Sequence, residues 1–454
     1  MLYYQKSSPG QMNMKPAIRQ LLFIFLLNLA FSFFVKGLAN YLEVKNTKMA
    51  LDHAIWIFTD QIGDDSWRPM RLALDYWTES QGDGQIYSDL LIGRNIKFQY
   101  PPTALLISKF IETNNIGILE FSTVTTLIFM FLMLAGLIGI ALYSYDKYYA
   151  APPLSLMEKI LVGIFLTLLL FTFYPAVKAG TLGQIQVWLN AFFALAILSY
   201  ITGYETLAGV LLGIMASIKP QYALFVLWGL IRGNRRLVIA MIVTGAIGLV
   251  AGIGEYGFAT YVDYLRGLSF LSQHGESFYT NQSFNGLAGR FFSVRYPDVF
   301  NNLRWRGYYF PPYNVWVFSF TQITSIVILL IALIKGKSQS KEARLADFCL
   351  MGLALTMASP IAWEHHYGIL FPIFVCLWLV LWFSSNVLEN KWAKITFVAS
   401  YLVAANFIPI ASLSAPTYFN IFQSYLFFAA CAVFMLLLVL KHRPSAESVA
   451  TSTL

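Results

Sequence analysis

The sequence predicts an all-α polytopic membrane protein with about twelve transmembrane helices and two long extracytoplasmic loops. Amino-acid composition is the main evidence for the membrane class. Hydrophobic residues fill 57% of the 454 positions and charged residues only 12%, against roughly 25% charged residues in soluble domains. A soluble chain of this length needs a charged surface, which this chain lacks. Apolar runs, most close to the roughly 20 residues that a membrane helix needs, also recur along the whole chain.

These apolar runs are the candidate spans. They lie near residues 20–37, 118–143, 158–175, 184–202, 205–218, 220–231, 237–254, 314–334, 345–359, 367–385, 395–412 and 417–440. The short pair at 205–218 and 220–231 is separated by Lys219-Pro220, and proline disfavours helix continuation. We therefore interpret this pair either as a shallow hairpin or as two tilted spans.

Orientation follows from lysine and arginine, which collect in short segments beside the apolar runs. The basic residues concerned are Lys15, Arg19, Arg232, Arg235, Arg236, Lys335, Lys337, Lys341, Arg344, Lys391, Lys394, Lys441 and Arg443. Cytoplasmic loops carry such an excess, so we expect both termini inside and a location in the inner (plasma) membrane. The net charge of +8 does not predict nucleic-acid binding, because no basic face or RNA-binding motif accompanies it.

The domain prediction is a single transmembrane domain over residues 1–440 with a cytoplasmic tail at 441–454. Two long outer connections follow from the orientation, at about 37–117 and 255–313. Long loops are usually functional when they persist in a compact domain. We expect both to carry short helices that pack over the membrane part.

The first outer loop is rich in acidic residues, and Asp64-Asp65 stands out among them. These aspartates precede Trp67-Arg68-Pro69 and an amphipathic stretch at 70–77. A carboxylate beside aromatic rings acts as a general base when its pKa is suitable. The alternative is that the loop's carboxylates are simply solvated.

Three further motifs follow along the chain. The first loop ends in Tyr100-Pro101-Pro102, and two prolines fix an extended entry into a helix. Gly183-Gln184 opens an apolar run, where glycine permits close backbone approach and a polar side chain is costly and tends to be functional. The alternative is a helix-packing role for Gln184. Lys219 is a lone lysine in an apolar stretch, which suits an anionic partner such as phosphate, or it extends to the interface.

The second outer loop contains arginine but no lysine. Its arginines are Arg266, Arg290, Arg295, Arg304 and Arg306. The planar guanidinium binds phosphate or carboxylate through two parallel hydrogen bonds, which lysine cannot do. Asn281, Ser283 and Asn285 precede Arg290 and offer hydrogen bonds to sugar hydroxyls.

The segment Ser359-Pro360 to His366 joins two late spans on the outer side and contains Trp363, Glu364, His365 and His366. Histidine and glutamate are metal ligands, but adjacent histidines point in different directions on a helix. We therefore favour a phosphate or a sugar as the ligand here, and we predict no metal and no cofactor. All of these motifs fall on the outer face of a topology derived from lysine and arginine alone, which indicates one site there.

In their order, these residues resemble glycosyltransferase family 87, a member of the GT-C superfamily of polytopic transferases. The residues concerned are Asp65, Tyr100-Pro101-Pro102, Gly183-Gln184, Lys219-Pro220, Asn281, Ser283, Arg290, Ser359-Pro360, Trp363 and His365-His366. The resemblance spans about residues 20–385. It implies a GT-C-like fold and inverting transfer of a sugar, with mannose expected, from a polyprenyl-phosphate donor to a hydroxyl of a glycan, lipid or glycolipid. It also implies an aspartate as the base, with Asp65 the best positional match and its neighbours Asp64 and Asp60 as the alternatives.

Two other classes remain open from the sequence. A transporter or flippase of lipid-linked sugars would place charged residues deep inside several spans and polar groups on both faces. A non-catalytic glycan-binding subunit would tolerate the loss of Asp64 and Asp65.

Overall fold

The computed structural model describes residues 15–45, 47–59, 61–82, 85–148, 153–293, 310–336, 340–384 and 390–442. Within those ranges the regular structure is helical, apart from one isolated bridge between Asn281 and Trp363. The helices are α1 (Pro16–Tyr41), α2 (Ala50–Phe58), α3 (Trp67–Glu79), α4 (Pro102–Thr113), α5 (Ile118–Tyr148), α6 (Leu156–Phe171), α7 (Tyr174–Leu182), α8 (Gln186–Ile201), α9 (Glu205–Ile218), α10 (Phe225–Arg232), α11 (Arg235–His274), α12 (Phe284–Ser293), α13 (Val315–Leu333), α14 (Lys341–Met357), α15 (Leu370–Phe383), α16 (Lys391–Ala404) and α17 (Tyr425–His442).

Six helical segments in the described part of the chain are long and apolar enough to cross a membrane. They are Pro16–Tyr41, Ile118–Lys147, Arg235–His274, Val315–Leu333, Glu364–Phe383 and Tyr418–His442. Helices α6 and α7 form a seventh candidate if they count as one span, bent by 65° at the break between them. The all-helical membrane class is therefore confirmed.

The predicted count of about twelve spans is not confirmed. Several predicted spans correspond to short helices such as α8 with 16 residues and α9 with 14. At 1.5 Å per residue, 14 residues reach about 21 Å, less than the roughly 30 Å hydrocarbon layer. Hydropathy alone counts such helices as full crossings. Here α8 is largely enclosed by other helices, so its apolar residues form protein core.

The region predicted as the first outer loop contains α2, α3, a π-helical turn at Tyr87–Gly93 and α4. Helix α3 is amphipathic and buries Trp67, Met70 and Leu74 on one side. Pro102 occupies the first turn of α4, where a missing N–H costs nothing. These short helices pack against α5, α7, α9 and α11.

The second outer connection begins differently from the prediction. Helix α11 does not stop near residue 254 but continues to His274, with a break at Gly257 where φ is +77°. Gly257 adopts that backbone conformation without strain because it has no Cβ. Helix α12 follows, while residues 294–309, with Arg295, Arg304 and Arg306, lie outside the described residues. Asp60, Asp83 and the tail from residue 443 also lie outside them.

Candidate active site

A cavity of about 470 Å³ lies where the short helices of the first outer region meet α9, α11, α13 and the end of α14. One part of its wall is polar, and the remainder is apolar and belongs to α9, α11 and α13. Six of the residues predicted from the sequence line it: Asp65, Tyr100, Gln184, Lys219, Trp363 and His366. Residues up to 301 positions apart in sequence therefore meet around one space.

Asp65 is held by Gln184, whose Nε2 donates to Asp65 Oδ2. The other end of the amide fixes this orientation. Gln184 Oε1 accepts from Ser66 Oγ at 2.7 Å and lies 3.3 Å from the Tyr100 hydroxyl. Ser66 Oγ in turn accepts from the backbone N–H of Ile185 at 3.0 Å. With donors at Oε1, the amide nitrogen must face the carboxylate.

Gly183 brings the two chain segments together. Its φ of +64° is left-handed, and a Cβ there would lie 1.8 Å from the carbonyl oxygen of Gly63. This close approach lets Asp65 N–H donate to Leu182 O at 2.9 Å and Gly63 N–H donate to Thr181 O at 2.8 Å. Any side chain at position 183 would push the Asp65 loop away from Gln184.

The structure separates the two candidate bases. Asp64 forms an ion pair with Arg68 at 3.0 Å and does not line the cavity. Asp65 is open to the cavity space, but the protein atoms around that space exclude much of the bulk water. This desolvation raises the pKa of the Asp65 carboxyl above its usual value, although the Gln184 hydrogen bond and the nearby charge of Lys97 oppose the shift.

Lys219 lies at the cavity on the turn that follows α9. Its Nζ donates to Gln186 Oε1 at 2.8 Å, and Gln186 Nε2 donates to Asn190 Oδ1 at 2.9 Å. No acidic side chain within 4 Å pairs with Lys219 among the described residues. The Lys219 amine is therefore held by neutral groups and is available to an anionic ligand in the cavity.

Sequence reasoning missed a second cation at the cavity, Lys97. Its Nζ pairs with the fully buried carboxylate of Glu276 at 2.5 Å and lies 5.1 Å from the centre of the Trp363 ring. Glu276 Oε2 also accepts from Trp363 Nε1 at 2.7 Å. The sequence did offer one indication of Lys97, because it lies three residues before the Tyr100-Pro101 motif that was predicted to belong to the site. Glu276 gave no such signal, since only folding places it beside Lys97.

The expected sugar-binding group in the second outer region is instead a structural clamp. Asn281 Nδ2 donates to Glu276 O and Pro360 O, and Asn281 Oδ1 accepts from Ala362 N–H. Asn285 Oδ1 accepts from Glu276 N–H at 3.0 Å. Both asparagines are buried and neither lines the cavity. Their amides fix Glu276 and the segment that carries Trp363, so they shape the site without facing it.

Arg290 also departs from the expected phosphate contact. It is fully buried, and its Nη1 donates to the backbone carbonyls of Phe278 and Asn281, each at 3.0 Å. Its Nη2 donates to Ser424 Oγ. The guanidinium is thus engaged with the protein itself, which anchors the Asn281 loop to the start of α17.

Three other predicted residues lie outside the cavity lining. Arg266 is exposed on α11 near Gln85. Glu364 is buried and accepts from Tyr174 and Tyr425 hydroxyls at 3.3 and 3.0 Å. His365 is buried, and its Nε2 has no hydrogen-bond partner among the described residues. The adjacent His366 lines the cavity, and the two imidazole rings contact each other edge to face with their centroids 4.7 Å apart.

A second, apolar groove of about 450 Å³ adjoins the cavity and shares Pro220, Tyr264 and Leu268 with it. Pro101, the remaining predicted residue, lines this groove. Helix α11 forms one wall with Leu249, Phe258 and Leu265, all of which are also exposed on the outer surface of the protein. The polar cavity is thus flanked by an apolar groove that reaches the lipid-facing surface.

A carboxylate, Asp65, and two lysines, Lys97 and Lys219, therefore line one cavity of an all-helical membrane protein. The model of glycosyltransferase family 87 matches residues 98–360, more than half of the chain, and the protein belongs to that family. The matched region begins at Phe98, directly after Lys97, and contains Gln184 and Lys219. Asp65 lies before its start and Trp363 lies after its end. No curated protein and no solved structure matches the chain.

Proposed function

We propose that this membrane glycosyltransferase moves a sugar, mannose in our expectation, from a polyprenyl-phosphate donor to an acceptor hydroxyl with inversion at the anomeric carbon. The acceptor is a glycan, lipid or glycolipid. The single observation that carries the proposal is the placement of Asp65 and two lysines around one cavity that continues into an apolar groove. A base, a phosphate site and a lipid site are what this reaction requires.

In the proposed step, Asp65 accepts the proton of the acceptor hydroxyl as its oxygen attacks the anomeric carbon. The bond from that carbon to the phosphate oxygen breaks, and polyprenyl phosphate leaves with the electron pair. Attack from the face opposite the leaving group inverts the configuration. Gln184 holds the carboxylate in place through one oxygen, which leaves the other oxygen of Asp65 available for the proton.

Charge on the leaving phosphate needs stabilisation, and preorganised cations and donors supply it most effectively in a site that excludes water. Lys219 is the first candidate because neutral partners hold it at the cavity. His366 Nδ1 accepts from the backbone N–H of Trp363 at 3.3 Å, so its ring proton resides on Nε2 and can be donated. Gln99 Nε2, also at the cavity, is buried and has no partner among the described residues. A bound oxygen would satisfy it.

Lys97 and Trp363 suit the sugar itself. Glu276 fixes both side chains, since its two carboxylate oxygens accept one hydrogen bond from each. The exposed face of an indole packs well against a sugar ring, and a rigid position reduces the entropy lost on binding. Glu276 is therefore proposed as a positioning residue rather than as the base.

The isoprenoid tail of the donor is proposed to occupy the apolar groove beside Pro220, Tyr264 and Leu268. These residues line both spaces, so a phosphate at Lys219 leaves the tail directed along α11 towards the lipid. Because the positive-inside rule puts the basic loops in the cytoplasm, the site is proposed to face the extracytoplasmic side. Family membership favours this catalytic function over transport of a lipid-linked sugar.

The test is an assay of the purified protein with a panel of polyprenyl-phosphate sugars and, separately, nucleotide sugars. We expect transfer from a polyprenyl-phosphate sugar, with the opposite anomeric configuration in the product by NMR. The Asp65→Asn variant, purified in the same way, is the negative control. Transfer from nucleotide sugars alone, or retention of configuration, would contradict the proposed donor or the proposed step.

A further inference from the structure

A second polar pocket, of about 210 Å³, lies at the other end of α9 from the candidate active site. Glu205 at the start of α9 lines this pocket, while Lys219 just beyond its end lines the active-site cavity. The 14-residue helix separates the two by about 21 Å. The pocket therefore has no part in the proposed transfer reaction.

A buried ion-pair cluster forms one wall of this pocket. Asp347 pairs with Arg232 at 2.8 Å and with Lys441 at 2.8 Å, and the three side chains are only 8–9% and 0% exposed. Arg232 also donates to the carbonyl of Leu333 at 2.5 Å. The cluster connects α10, α13, α14 and α17, so these four helices hold the wall of the pocket in a defined position.

The pocket carries more positive charge than this cluster neutralises. Its charged lining residues are Arg232, Lys335, Arg344, Lys441, Glu205 and Asp347, which leaves a surplus of two positive charges. Asn234, at the N-terminus of α11, also lines the pocket, and its Nδ2 is buried with no hydrogen-bond partner among the described residues. Buried polar atoms are rarely left unpaired, so this donor points to an absent acceptor.

We propose that this pocket binds the phosphate group of an anionic phospholipid. The surplus positive charge and the unpartnered Nδ2 of Asn234 favour an anion there. Apolar side chains at the edge favour a lipid as its source. Leu230 and Ile231 directly precede Arg232 and are exposed, as is Ile334, whose carbonyl accepts from Arg232 Nη2 at 3.0 Å. Acyl chains lie along these residues while the headgroup occupies the pocket.

The location is consistent with this ligand. The pocket lies among basic segments that the positive-inside rule assigns to the cytoplasmic face. Basic pockets between membrane helices on that face recognise anionic headgroups. The inference does not depend on the identity of the sugar donor, because it concerns a different site.

Binding is tested on the delipidated, purified full-length protein by thermal unfolding with added phosphatidylglycerol, phosphatidylcholine or inorganic phosphate. We expect phosphatidylglycerol to raise the unfolding temperature saturably, and the other two to have little effect. Equal stabilisation by phosphatidylcholine would overturn the proposal, as would stabilisation by inorganic phosphate without any by phosphatidylglycerol.

The discriminating variant is Asn234→Asp, which puts a negative charge into the pocket without changing its size. Aspartate is as good as asparagine at a helix N-terminus, so the fold is kept. Apparent affinity for phosphatidylglycerol should fall by about fivefold or more, the scale of one charge at a lipid surface. Arg236→Gln is the matched control, because it makes the same change in charge on the same face outside the pocket lining.

A second pair of variants covers the case in which Asn234→Asp does not fold. Lys335→Ala combined with Arg344→Ala removes two exposed cations of the pocket, and Arg235→Ala combined with Arg236→Ala removes two exposed cations beside it. Only the first pair should lose the phosphatidylglycerol effect. Equal effects of the two pairs would show attraction to the general surface charge and would overturn a specific site.

Discussion

At the scale of single residues, Asp65 and Asp64 are adjacent in sequence but have different surroundings. Asp65 faces the cavity and binds Gln184, whereas Asp64 pairs with Arg68. Asp65→Asn keeps the shape but cannot accept a proton. We expect turnover to fall by about two to four powers of ten, with donor binding and folding largely kept, as measured by initial rates and donor titration.

Asp64→Asn is the control for that substitution and should retain most of the activity, because its partner is an exposed arginine. Loss of activity in Asp64→Asn with normal turnover in Asp65→Asn would assign the base to the other aspartate. Normal turnover in the double variant would exclude both carboxylates as the base.

The pH dependence of the rate follows from the raised pKa of Asp65. A general base works only when deprotonated, so activity is present above that pKa and is lost as the pH falls through it. The Gln184 hydrogen bond lowers the pKa against the larger effect of desolvation. Gln184→Met removes the bond at similar size, so the acid limb of kcat/KM should move to higher pH. An unmoved acid limb, in a variant that still folds, would mean that another group controls it.

At the scale of elements, the segment around α12 fixes one wall of the cavity. Arg290→Lys keeps the charge but loses the planar set of donors that holds Phe278, Asn281 and Ser424. We expect a loss of about 2 kcal/mol or more in stability, since buried acceptors are left unpaired. Thermal unfolding measures it, and the donor KM should rise together with this loss of stability, because the clamp holds Trp363, which is proposed to pack against the donor sugar.

Arg266→Lys is the comparison for that change, because Arg266 is exposed on α11 and should tolerate the substitution. If Arg290→Lys unfolds at the wild-type temperature and only its donor KM rises, Arg290 contacts the donor directly and the clamp interpretation fails.

At the scale of the whole molecule, cysteine labelling tests which side of the membrane the candidate active site faces. Single cysteines at Gln273 and Gln81, near the cavity side, should react with impermeant thiol reagents in spheroplasts. Cysteines at Asn234 and Gly336, which line the basic pocket, should react only after permeabilisation. Labelling of all four positions, or the reverse pattern, would contradict the proposed topology.

The sequence by itself determined the class and much of the site. Composition excludes a soluble fold, and the sequence motifs predicted six residues that all line one cavity: Asp65, Tyr100, Gln184, Lys219, Trp363 and His366. Family membership, first noted as a resemblance, is confirmed by the family model. These residues were predictable because a polar group in an apolar stretch needs a physical reason.

Tertiary structure alone decided which polar residues face the cavity and which bind other parts of the protein. Arg290, Asn281 and Asn285 have side chains suited to a phosphate or a sugar, but each forms hydrogen bonds with backbone and side-chain groups that only folding brings near. Lys97 and Glu276 are 179 positions apart in sequence, and only the fold brings them together as an ion pair at the cavity. The number of crossings depends likewise on packing, because lipid tails and neighbouring helices are similarly apolar and an apolar helix can lie against either. A hydropathy profile identifies apolar helices, but only the tertiary structure shows whether lipid or other helices cover them.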